Sequence, residues 1–146
     1  FFNCLIRRST FLSVRIDERY KHYGYEDVDF GLRLKAAGAG IKHIENPLIH
    51  LGLDENACFL EKIETSLRTL HSLSDRRLEQ GSAVARMALQ LKRLHLDGAM
   101  RLFHAAFRSL ERRNLLGSRP SIAVLSLYKL GYYCSLRGTL AGKGQG

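Results

Sequence analysis

Between Tyr23 and Asp29 the sequence reads YGYEDVD, with two adjacent carboxylates, Glu26 and Asp27, a third acid, Asp29, two residues on, and an apolar run, FGLRLKAAG, behind them. A carboxylate fixed at a helix start can act as a general base, taking the proton of a hydroxyl as its oxygen attacks, provided the two lie within hydrogen-bond reach. The same acids can also simply cap a helix, where free backbone amides and the macrodipole favour negative charge by roughly 0.3–1 kcal/mol each. The neighbouring residues favour the first use. Gly24 permits close backbone approach or an unusual turn, and Tyr23 and Tyr25 are flat, amphipathic side chains suited to stacking on a sugar or lining a cleft. Asp29 falls roughly 200° around a helix from Asp27, which predicts a structural role. Arg33 reads as a helix-surface ion-pair partner. Among the six histidines only His50, in NPLIHLG, follows a strand candidate and a turn. A lone imidazole does not hold a metal, because such sites need several ligands, and His22, His43, His71, His95 and His104 show no ligand spacing with it.

Elements must position these groups. NCLI near the start reads as a short buried strand, STFLSV as a helical turn capped by Ser9 or Thr10, and IKHI as a second short strand. From Asp27 the spacing turns helical, with Val28 and Leu32, and Phe30 and Leu34, four apart, and Gly38 stands where a helix-ending glycine belongs. ENP then turns, and Pro47 disfavours helix just before it. From Asp54 the text changes character and helical seams follow one another. Leu60, Ile63, Leu67, Leu70 and Leu73 form one apolar seam, with Asp54 or Asn56 as cap. Val84, Met87, Leu91 and Leu94 form another after Gly81, capped by Ser82. Met100, Phe103, Phe107 and Leu110 form a third beyond the DG break at 97–98. SRPS opens a fourth helix with Pro120 in its first turn. The reading is therefore an α/β segment over 1–52, a helical extension over 53–137 and a flexible tail over 138–146.

The 146 residues, 45% apolar, suffice for one domain or two small halves. The opening FFNCLIRRS starts inside an apolar run without Met, which reads as a fragment lacking its upstream part. Three dispersed cysteines, Cys4, Cys58 and Cys134, without CxxC spacing, argue against a disulfide framework or zinc site and fit a reducing compartment. No signal peptide is visible, and the longest apolar stretches, broken by Lys129 and Arg137, fall short of the roughly 18 residues of a spanning helix. The net charge of +9 is uneven: residues 1–52 carry +2 and residues 53–146 carry +7. A basic excess of this kind is a solvated surface, or a face for an anionic membrane or a polyanion. No RNA-binding motif accompanies it, so no nucleic acid is expected.

Residues 2–52 resemble the C-terminal half of the catalytic domain of family 2 glycosyltransferases with the GT-A fold. The likeness is carried by Asn3 and Arg7 as N-x-x-x-R, then DERY, the YGYEDVD stretch, Arg33–Leu34, and Pro47 to His50. The helical remainder resembles the C-terminal extension of some bacterial members. The resemblance implies an α/β, Rossmann-like nucleotide-diphospho-sugar transferase domain that is cytoplasmic, or peripheral at the inner membrane face, in surface polysaccharide synthesis. It implies that Asp27 is the catalytic base, that Glu26, with Tyr25 and Gly24, binds the acceptor, that His50 ligates a divalent Mg or Mn, and that Asn3 and Arg7 support the site. It also implies a nucleotide-sugar donor, a glycan or lipid-linked acceptor and an inverting displacement. This sequence departs from the family in having no D-x-D before residue 26; its only one is DVD at 27–29. The donor half is thus expected to be absent, and the chain alone inactive. The alternative is a non-catalytic module whose basic helices bind a membrane surface or polyanionic partner.

Overall fold

The computed structural model describes residues 3–49 and 51–141. Among them it forms seven helices and no strand: α1 (Arg8–Val14), α2 (Glu26–Ala36), α3 (Asn56–Leu73), α4 (Arg76–Gly81), α5 (Ala83–Arg93), α6 (Asp97–Leu115) and α7 (Ile122–Ala141). The fold is all-α, which overturns the expected α/β class. A GT-A domain is built around a sheet, so the resemblance to that family is overturned with it. The two strand candidates show the physical reason. NCLI and IKHI have the composition of strands, but a strand exists only when its amides and carbonyls meet a partner. Both segments run as irregular chain, and Leu5, Ile41 and Ile44 stand exposed.

The helices form for identifiable reasons. Ser82 accepts from the Ala85 amide and opens α5, while Asp75 accepts from the Arg77 amide and opens α4. Gly38, at φ +69, ends α2: its amide donates to Lys35 O at 3.1 Å and the Ala39 amide to Leu34 O at 3.0 Å, the two bonds of a glycine-terminated helix. α3 starts at Glu55 without a side-chain cap, and Asp54 instead holds Lys62. α1 likewise has Arg7, not Ser9 or Thr10, at its N-cap.

α7 is the central element, in contact with α3, α5 and α6. Its Tyr133 and Cys134 meet Leu67 and Leu70 of α3, Leu78 of α4, and Ala85 and Ala88 of α5. Its Tyr128 joins Leu60 of α3 and Leu115 of α6 in a second cluster. The seam expected on α3 is the one buried. Of the seam expected on α6 only Met100 packs against the core: Phe103, Phe107 and Leu110 are exposed, whereas His104, Glu111 and Leu115 are buried. His104 Nδ1 lies 2.7 Å from Glu111 Oε2, and the rings of Tyr128 and Tyr132 meet the imidazole edge-on. Two polar side chains that hydrogen-bond to each other can occupy a core position that a hydrophobic count assigns elsewhere, although Glu111 Oε1 is left buried without a hydrogen-bond partner among the described residues.

Candidate functional site

α2 packs against α1 and α4, and the turn that leads into it is held against α3. Gly24 has φ +113 and Tyr25 φ +69, so the chain reverses sharply before the first helical residue. A Cβ on Gly24 would lie 2.3 Å from Ser66 Cβ, so glycine alone permits this approach. Thr69 donates its hydroxyl to Tyr23 O at 3.1 Å, and the Tyr25 hydroxyl lies 3.2 Å from Ser82 Oγ. The turn is therefore pinned to α3 and to the start of α5.

The acid pair sits on this turn. Glu26 Oε2 accepts from the Gly24 amide at 2.8 Å, which folds its side chain back over the reversal. Asp27 Oδ1 accepts from the Val28 amide at 2.8 Å, and its other oxygen has no partner among the described residues. Both acids line an open cleft of about 260 Å³. Its other walls include Tyr23, Phe59, Lys62 and Lys129. Tyr23 and Phe59 are about half exposed and present aromatic surface. Lys62 Nζ is neutralised by both oxygens of Asp54, at 2.7 and 2.8 Å. The arrangement joins a free carboxylate oxygen to flat apolar surface and fixed polar groups, the equipment for binding a polyhydroxylated ligand and taking a proton from it.

The remaining sequence-derived residues lie elsewhere. Asp29 is buried and paired with Arg33 Nε at 3.0 Å. Arg33 also donates to Val14 O at 3.2 Å and Arg15 O at 2.6 Å, tying the end of α1 to α2. Asn3 exchanges hydrogen bonds with Asn46, and Arg7 precedes α1; neither lines the cleft. His50 and residues 142–146 of the expected tail lie outside the described residues, while Gly138–Ala141 continue α7. Among the described residues no group of three or more His, Cys, Asp or Glu is placed to hold a metal ion.

Phe59, Lys62, Ser66 and Lys129 were missed by the sequence reading. Phe59, Lys62 and Ser66 flank the apolar seam of α3 on one side, at spacings of three and four, and that periodicity is the signal that groups them. Lys129 comes from α7 and carries no local signal linking it to residue 27.

A second cleft, of about 280 Å³, is lined by His71, Glu79, Lys92, Asp97, Arg101 and Arg137, among others. Arg137 pairs with Glu79 at 3.0 Å. Burial, and then the Arg137 charge, hold the His71 imidazole below the usual histidine range.

Comparison of the chain with family models, with curated proteins and with solved structures finds no match.

Proposed function

We propose that this chain supplies the acceptor side of a sugar transfer from a nucleotide-sugar to a hydroxyl. The observation that carries the reading is the acid pair opening into a cleft with aromatic walls. In this scheme the acceptor ring rests against Tyr23 and Phe59, and Glu26 and Asp27 accept its hydroxyl hydrogens. Asp27, with a carboxylate oxygen unengaged, takes the proton of the attacking hydroxyl. The acceptor's hydroxyl oxygen bonds to the anomeric carbon as the bond to the nucleotide diphosphate breaks, inverting the centre. The donor, and any divalent metal that neutralises the diphosphate, would be held by groups outside the described residues, and no step of this account runs through them. The test is sugar transfer by the enzyme carrying this chain. Asp27→Asn should lower kcat by about 10²–10⁴-fold, the usual worth of a general base, with the fold retained. A near wild-type kcat would remove Asp27 from the mechanism.

A second reading is favoured by α6, which exposes Leu102, Phe103, Phe107 and Leu110 in one stripe with Arg113 at its end. Here the helix rests on an anionic membrane surface; among the described residues no helix is long and apolar enough to cross one. Co-sedimentation with vesicles of graded anionic-lipid content tests it. Binding should rise with anionic content and fall with salt. No binding at any composition would leave the stripe without this role.

A further inference from the structure

We infer that the ligand of the α2 cleft carries an anionic group, a phosphate or carboxylate, and that Lys129 recognises it; this rests on the acceptor reading above. Lys129 is half-buried on α7 and lines the cleft. Among the described residues it makes no hydrogen bond and no ion pair. Partial burial of its stem fixes where the ammonium stands, and charges so placed commonly pair. The other cleft cation, Lys62, shows the ordinary solution, held by both oxygens of Asp54. Glu26 and Asp27 are turned to backbone amides and leave Lys129 unpaired.

With Lys62 held by Asp54, the cleft offers two unlike kinds of group. The carboxylates of Glu26 and Asp27 accept from hydroxyls and repel anions, while Lys129 supplies donors and a positive charge. A neutral sugar satisfies only the carboxylates. A sugar phosphate or uronic acid satisfies both kinds. The cleft, at about 260 Å³, lies just below the roughly 300–1,000 Å³ of common ligand pockets, room for a single ring with its substituent.

The experiment is calorimetric titration of the wild-type chain, Lys129→Met and Lys129→Arg with glucose, glucuronate, glucose 6-phosphate and inorganic phosphate. Wild type should prefer at least one of the two anionic sugars to glucose by about tenfold, as expected for one charge-assisted contact. The two anionic arms tell carboxylate from phosphate. Lys129→Met should abolish the preference with the melting temperature unchanged, and Lys129→Arg should keep it. Equal affinity for glucose and both anionic sugars, or an anion preference that survives Lys129→Met, overturns the inference and leaves the acceptor reading standing. Inorganic phosphate binding as tightly as glucose 6-phosphate assigns the site to a free anion and overturns it as well. If no sugar binds, the acceptor reading itself falls, and the inference with it.

Discussion

Replacing Gly24 by alanine tests how the acid pair is positioned. The residue holds φ +113, and its new Cβ would stand 2.3 Å from Ser66 Cβ and 2.6 Å from Ser66 Cα. The second of these is backbone of α3, so no rotamer change relieves it. Backbone strain at such a conformation costs about 1–3 kcal/mol, and forcing an extra methyl into a packed contact typically costs another 1–3 kcal/mol. The expected loss is therefore about 2–6 kcal/mol, or roughly 6–18 °C in Tm at about 3 °C per kcal/mol for a chain of this size. Two other glycines separate the components. Gly38, at φ +69 with nothing within 4 Å of its would-be Cβ, should lose only the conformational part, about 1–2 kcal/mol. Gly31 lies inside α2 with open space around it, and Gly31→Ala should stabilise by about 0.5–1 kcal/mol. Urea and thermal unfolding followed by circular dichroism measure all three. A Gly24→Ala variant within about 0.5 kcal/mol of wild type, the range of a neutral surface change, would show that the Gly24 turn does not sit against α3 as described.

Glu26→Gln should chiefly weaken acceptor binding, since the amide still accepts the Gly24 N–H but loses the charge; a kcat collapse with unchanged KM would reverse its role with that of Asp27. His71 should make the protein less stable in mild acid. Its folded pKa lies below that of an unfolded histidine, so the unfolded chain binds the proton more readily, and stability present above about pH 6.5 is lost as the pH falls through the folded value. Melting between pH 7.5 and 5.5 should show this slope, and His71→Gln should reduce it; an unchanged slope would place the cause elsewhere. Cys4 and Cys58 are exposed, while burial shields the Cys134 thiol and pushes its pKa up, so a thiol reagent should label two sites quickly and the third only on unfolding. Three equally fast reactions would mean that α7 does not pack as described.

Much of the helical part was legible, because amphipathic period and caps are local properties. Ser82, Gly38 and the α3 seam announce themselves within a few residues. The first segment misled because β-like composition does not make a strand without a partner, and Leu51 and Leu53, at 90% and 85% exposure, show how little this region buries. On α6 most of the apolar period pointed outward, since the hydrogen bond between His104 and Glu111 is a tertiary fact that no window reveals. On α5 Val84 and Leu91 of the expected seam do pack against the core, but the fully buried positions are Ala85 and Ala88, while Met87 and Leu94 are exposed. In the candidate site, the acid pair and the Gly24 turn were readable from chemistry at adjacent positions. The opposite wall was not, because Phe59 and Lys129 lie on α3 and α7, far along the chain.

The claim that the α2 cleft receives a polyhydroxylated acceptor is tested most directly by amide chemical shifts of the isotope-labelled chain during titration with glucose, glucuronate and glucose 6-phosphate. The account predicts saturable shifts for at least one of them, centred on Gly24–Val28, with further changes at Phe59 and Lys62–Ser66, all weakened in Asp27→Asn. Shifts that never saturate, or that gather instead around His71, Arg101 and Arg137, would contradict it.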